Sequence, residues 1–142
     1  MNYSSSILEV NLKNLIHNYK VFKKFIKNKQ VAATIKANAY GIGDKIAFST
    51  LYKNGCRHFF LATLNEGLEL RKSFKKGYIY ILNGLENNDI NIFKINKLIP
   101  ILNSKIEMKV IGKTKFKFGI HIDTGLNRLG INKKDLPKKI YN

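Results

Sequence analysis

The run Val31-Ala32-Ala33-Thr34-Ile35-Lys36-Ala37-Asn38-Ala39-Tyr40-Gly41-Ile42-Gly43 carries a small-residue apolar strand that delivers one lysine into a turn rich in Asn and Gly. A lysine placed there is a candidate Schiff-base nucleophile, because an amine freed of its proton condenses with a carbonyl. The residues Val31 to Ile35 suit a strand buried on both faces, and the glycines suit a loop whose backbone approaches a ligand closely. Parallel α/β folds put their chemistry at that strand end. A lysine ending a strand is nevertheless more often simply solvated. A second reactive-looking segment, His121-Ile122-Asp123-Thr124-Gly125-Leu126-Asn127-Arg128-Leu129-Gly130, holds a histidine and an aspartate on one face of a strand, followed by an arginine. Two candidate ligands do not make a metal centre, so no metal is expected, and a hydrogen-bonded strand histidine is the simpler reading of His121.

These side chains need a frame. Leu12, Leu15, Ile16, Tyr19 and Phe22 recur at helical spacing, which predicts an amphipathic helix from Leu12 to Ile26 capped by Asn11, after a short strand over Ile7 to Val10. A strand ending at Lys36 follows, then a helix from Asp44 as its cap to Tyr52 with Asn54-Gly55 as its stop. Phe59 to Thr63, Tyr78 to Leu82, Leu98 to Leu102 and Phe118 to Asp123 read as further strands. Helical segments lie between them, starting near Asn65 and running over 88–96 and 106–112. Strands alternating with helices call for parallel pairing through right-handed crossovers.

The net charge of +17, from 26 basic and 9 acidic residues in 142, would ordinarily suggest a polyanion partner. Only Arg57, Arg71 and Arg128 are arginines, however, and the lysines are scattered in twos and threes. Nucleic-acid readers favour arginine for bidentate contacts, so a solvated basic surface is the reading and no specific nucleic-acid partner is expected. Cys56 is the sole cysteine, which excludes an intrachain disulfide and fits a reducing, cytoplasmic setting; it reads as a small residue packed at a strand entrance. No leader pattern and no run of membrane-spanning length is present, so no membrane partner is expected.

The motif Lys36-Ala37-Asn38-Ala39-Tyr40-Gly41-Ile42-Gly43 resembles the pyridoxal-phosphate lysine motif of the alanine racemase family. The His121 to Gly130 segment resembles that family's second characteristic block. Phe60 to Thr63 followed by Asn65 to Arg71 resembles its second strand and acidic, leucine-bearing helix, and the similarity runs from Glu9 to Ile131. The resemblance implies an α/β fold, a parallel (β/α) barrel of the pyridoxal-phosphate-binding type, incomplete at about five of the eight βα units of such barrels. Residues 1–142 would form the N-terminal part of that barrel, with 1–11 a strand pairing with a C-terminal β domain. It further implies an isomerase that interconverts L-alanine and D-alanine for peptidoglycan with pyridoxal 5'-phosphate as cofactor. By resemblance Lys36 is the imine lysine and one of two bases, Tyr40 binds the cofactor phosphate, and Arg128 meets the cofactor phenolic oxygen and the substrate carboxylate.

Two residues depart from the family pattern. Ile42 stands where a histidine is usual, and His121 where many members carry a carbamylated lysine that orients the arginine. In the family the opposite-face base is a tyrosine of the C-terminal domain, delivered across a homodimer interface, and an arginine late in the barrel contacts the cofactor ring nitrogen; both would lie beyond Asn142. The expectation is therefore a shortened or split product, poorly soluble or partnered by a complementary C-terminal chain, with little turnover alone. Two alternatives stay open: another barrel-type pyridoxal-phosphate protein, serving cofactor homeostasis or another amino acid, and a basic nucleic-acid-binding module. The Asp-Thr-Gly-x-x-Arg-Leu-Gly block over 123–130 favours alanine racemase.

Overall fold

Strands separated by helices form a parallel sheet whose helix-covered face takes the most buried rows, and among the described residues only the strand Leu98–Leu102, apolar throughout, is buried on both faces. The computed structural model describes residues 6–27, 29–85, 89–112 and 114–136. In chain order they form α1 (Leu12–Phe25), β1 (Ala32–Thr34), α2 (Lys36–Tyr40), α3 (Asp44–Lys53), β2 (His58–Leu61), α4 (Leu64–Ser73) and β3 (Tyr78–Ile81). After these come α5 (Ile90–Ile95), β4 (Leu98–Leu102), α6 (Lys105–Ile111), β5 (Gly119–Ile120), β6 (Ile122–Asp123), β7 (Ile131–Asn132) and a 3₁₀ turn over Lys133–Asp135. Strands β1 to β5 make one sheet in the order β1-β2-β3-β4-β5, parallel throughout. The parallel α/β architecture expected from the alternation is thus present.

Register sorts the side chains. Ala33, Phe59, Ile79 and Leu98 stand in one row across the sheet and Leu61, Ile81 and Pro100 in the next, all pointing toward the helices. Phe59, Ile79 and Leu98 are completely buried there, with Phe48 of α3 packed 4.2 Å from the Phe59 ring and 4.5 Å from Phe74. The opposite face carries the intervening rows, in which His58 stacks on Tyr78 at 5.0 Å and Phe60 on Tyr80 at 4.7 Å. His58 Nδ1 and the Tyr80 hydroxyl lie 2.8 Å apart.

Four expectations change. β1 is not buried on both faces: Ala32 and Thr34 are exposed, because β1 is an edge strand and helices cover only its Ala33 side. Residues 6–10 form no strand, and Ile7 and Leu8 are 91% and 76% exposed; extended backbone becomes a strand only beside a partner, and no described strand lies there. Asp44 is the first residue of α3 rather than its cap. The last strand splits at His121, whose N–H donates to Leu102 O at 2.9 Å while its own carbonyl accepts from Ile131 N at 2.7 Å, so the chain leaves β4 and pairs β6 with β7. Asn11 caps α1 as expected, accepting from Lys13 N and Asn14 N, and the predicted start of the helix at Asn88 lies outside the described residues.

Cys56 is wholly buried just before β2, with Sγ donating toward His58 O at 3.4 Å, and burial pushes its thiol up. Among the described residues no helix is long and apolar enough to cross a membrane.

Candidate functional site

Lys36 leaves the sheet at the C-terminal end of β1. Ile35 N donates to Phe60 O at 2.9 Å, carrying the β1 ladder one residue further, and the Ile35 side chain is buried at 2% exposure, which leaves Lys36 half-buried at the rim. The chain then enters a left-handed turn: Ala37, Asn38, Ala39 and Tyr40 have φ of 50°, 53°, 52° and 55°, and Gly41 has 92°. Left-handed backbone costs a residue with a Cβ about 1–2 kcal/mol, so such a run persists only where its surroundings hold it.

The holding contacts are specific. Asn38 O accepts from Gly41 N at 3.1 Å and Gly43 N at 2.9 Å, and Asn38 Oδ1 accepts from Asp44 N at 3.0 Å, so Asn38 does the capping that Asp44 was expected to do. Ala39 is sealed in the core at 3% exposure. From the neighbouring βα unit, Glu66 Oε1 accepts from Ala37 N at 2.7 Å. The other oxygen of Glu66 accepts from Ala62 N at 2.7 Å and Thr63 N at 3.0 Å, while Thr63 Oγ1 accepts from Glu66 N at 3.2 Å. This is a capping box at the head of α4 with one leg reaching another strand end. Tyr40 is 67% exposed on the same turn as Lys36.

The second segment is organised around a histidine and an aspartate. Asn103 Nδ2 donates to Leu82 O at 2.8 Å and Ile101 O at 3.0 Å, so its Oδ1 is the acceptor facing His121 Nδ1 at 3.0 Å, and that nitrogen carries the proton. His121 is therefore a hydrogen-bonded histidine, standing at the break between β5 and β6 rather than within a strand. Gly130 packs on its ring: a Cβ there would stand 3.2 Å from His121 Cγ and 2.9 Å from Asp123 N, and its φ is 110°. Asp123 Oδ1 accepts from Gly125 N at 3.0 Å and Asn127 N at 3.1 Å, closing the loop that displays Arg128 to solvent.

Those two backbone donors, Gly125 first, hold the Asp123 carboxyl below the usual carboxylate range. A depressed pKa stabilises the ordered loop above the ordinary Asp value and withdraws that support as pH falls through the lowered one. The protection of the Gly125 and Asn127 amides, taken relative to their intrinsic exchange at the same pH, is accordingly expected to fall only at acid pH, and Asp123→Asn, which keeps an acceptor oxygen, is expected to lose that pH dependence. An unchanged pH profile in that variant would contradict the assignment.

Lys36 and Tyr40 share one turn. Arg128 lies in the loop between β6 and β7, past β5, which is the edge strand opposite β1 in the sheet order, so it is not on the Lys36 turn. Among the described residues the Lys36 amine, the Tyr40 hydroxyl and the Arg128 guanidinium make no side-chain hydrogen bond or ion pair.

Residues 10–141 match the family described as alanine racemase, N-terminal domain. The chain belongs to that family. It is 36% identical over 137 residues to an alanine racemase of Rhizobium meliloti, a match covering 93% of this chain and 36% of the relative. The alanine racemase of Bartonella henselae, solved with covalently bound pyridoxal phosphate, superposes with a TM-score of 0.80 at 30% identity over 89% of this chain and 37% of that one. A histidine racemase of Leuconostoc mesenteroides also superposes, with a TM-score of 0.76 at 26% identity over 87% of this chain and 35% of its own. The chain thus spans about a third of the length of the relatives it matches, and its five parallel strands are a partial barrel of the family's N-terminal domain.

The sequence reading passed over three residues that organise this site. Glu66 was visible as part of a Thr63-x-x-Glu66 capping pattern, but its third contact joins residues 29 apart. Asn38 read only as a turn former, and Asn103, which sets the His121 tautomer, gave no signal.

Proposed function

We propose that this chain supplies the lysine side of a pyridoxal 5'-phosphate site in an isomerase that interconverts L- and D-alanine, for D-alanine supply in the cytoplasm. The observation that supports it above others is the placement of Lys36: an amine at a parallel-strand C-terminus, half-buried, on a backbone clamped from two sides, within a chain of this family.

The donor set fits the cofactor by its chemistry. Lys36 offers a primary amine for an aldehyde, the exposed Tyr40 hydroxyl a donor for a phosphate oxygen, and Arg128 a planar cation for a carboxylate or a phenolate. When bound, the cofactor supplies an electron sink for the α-carbon of an amino acid. Lys36 would hold the aldehyde carbon and, once displaced by substrate amine, take or return the α-proton on one face through Nζ. Tyr40 would anchor the phosphate and Arg128 would orient the carboxylate. Racemisation also needs a second acid-base group on the opposite face; we assign that group to the C-terminal domain of the family, carried by a complementary chain.

The test uses the 142-residue chain incubated with pyridoxal phosphate, reduced with borohydride and mapped by peptide mass. The expected result is a visible absorption band and modification concentrated at Lys36. Modification spread evenly over surface lysines would overturn the proposal.

A further inference from the structure

We infer that Glu66 is the positioning residue of Lys36: by clasping the Ala37 amide to the head of α4 it holds the left-handed turn that presents the lysine amine. The inference rests on the reading of Lys36 as the cofactor lysine.

Glu66 spends its carboxylate on three backbone N–H groups from two different strand ends. Ala37 N, the first amide after Lys36, reaches Oε1 at 2.7 Å, and Ala62 N and Thr63 N, which follow β2, reach Oε2 at 2.7 and 3.0 Å. The amide it holds belongs to the first of four consecutive non-glycine residues with φ near 50°. If that contact is lost, no other hydrogen bond among the described residues ties Ala37 to α4, and Ala37 can relax toward ordinary right-handed backbone, which would re-aim the chain just beyond the lysine.

The same device occurs a second time, at the strand end that leads to Asn103 and His121 rather than to Lys36. Glu107, at the head of α6, accepts from Leu85 N at 2.8 Å with Oε1, and with Oε2 from Asn103 N and the Ser104 hydroxyl, each at 2.8 Å. Gly84 has a φ of 79° and leaves room for this carboxylate, since a Cβ there would stand 1.9 Å from Glu107 Oε1. A carboxylate at the third position of the helix thus ties β1 to β2 at one junction and β3 to β4 at the other. Only the first of these ties directly follows a lysine, which makes Glu107 a matched control for the structural share of the effect.

Glu66→Gln keeps the size but replaces one acceptor oxygen by an NH₂ group, which cannot accept from an amide. Two donors await the remaining oxygen at Ala62 and Thr63 and one at Ala37, so Ala37 is the contact expected to open. In the full chain with pyridoxal phosphate, Glu66→Gln is expected to slow borohydride-trapped modification of Lys36 by about tenfold or more, the scale of a misplaced reacting group. Amide exchange over residues 37–43 should rise with it. Glu107→Gln should leave Lys36 trapping within about twofold while costing a similar amount of thermal stability. Ala37→Gly added to Glu66→Gln should recover trapping, because glycine adopts positive φ without penalty.

Equal loss in Glu66→Gln and Glu107→Gln, or wild-type trapping in Glu66→Gln, would overturn the inference. If the wild-type chain itself does not trap at Lys36, the cofactor reading fails. The clasp is then judged by exchange alone: acceleration confined to 37–43 in Glu66→Gln upholds it as a backbone tie, and unchanged exchange removes it.

Discussion

Lys36→Ala is expected to abolish the visible band and the reducible adduct outright, while leaving the fold intact. The side chain is half-buried at the rim and makes no hydrogen bond or ion pair among the described residues, so its truncation should shift stability by no more than about 0.5 kcal/mol. Loss of the band with an unchanged unfolding transition is therefore a chemical result. Lys36→Arg sharpens it: guanidinium keeps the charge but not a nucleophilic amine, so the band should be lost there too. Tyr40→Phe gives the contrast. A hydrogen bond to a charged phosphate contributes on the order of 1.5–3 kcal/mol, so this variant should bind the cofactor about tenfold or more weakly while its adduct still forms at Lys36. Deuterium exchange at the α-carbon of alanine should vanish in Lys36→Ala. A band of wild-type intensity in Lys36→Ala would show that some other lysine carries the chemistry.

What could be read in advance was whatever depends on near neighbours. The Lys36 strand, the α1 cap at Asn11 and the stop at Asn54-Gly55 are local, and each stands where periodicity and turn chemistry put it. The face of α1 was legible only in part: Tyr19 is buried as its spacing demands, but Phe22 is 63% exposed, because a helical stripe says which side is apolar and not how far the neighbouring layer extends over it. The left-handed turn escaped for the opposite reason. Ala37 and Ala39 have good helical propensity and no preference for positive φ, so only distant contacts, from Glu66 and from the core around Ala39, explain their conformation. Arg128 was legible as a residue type in a recognisable block, whereas its distance from Lys36 depends on the closure of the sheet.

The two rims of the sheet are held by different chemistry, which sets up the largest stability effect. Carboxylates of Glu66 and Glu107 bind amides at the C-terminal rim, where Lys36 emerges. At the N-terminal rim a cation binds carbonyls. Arg71, 5% exposed in α4, directs Nε to Asn96 O, Nη1 to Phe74 O and Lys76 O, and Nη2 to Gly77 O and Lys97 O, at 2.9 to 3.2 Å. All five guanidinium donors are used, and the loops entering β3 and β4 are tied to one side chain. Burial pulls its pKa down, yet no carboxylate is needed, because five carbonyl dipoles solvate the charge. Arg71→Met fills similar volume but strands those acceptors. With each unsatisfied buried group costing about 1–3 kcal/mol and some reached by water, the loss should be about 3–5 kcal/mol. A domain of this size would then melt on the order of 10 °C lower. Arg71→Lys keeps the charge with three donors on a flexible stem, cannot span both loops, and should recover less than half of the loss. Equal stability of Arg71→Lys and wild type in a thermal melt would mean that charge alone, and not the fork geometry, holds this rim.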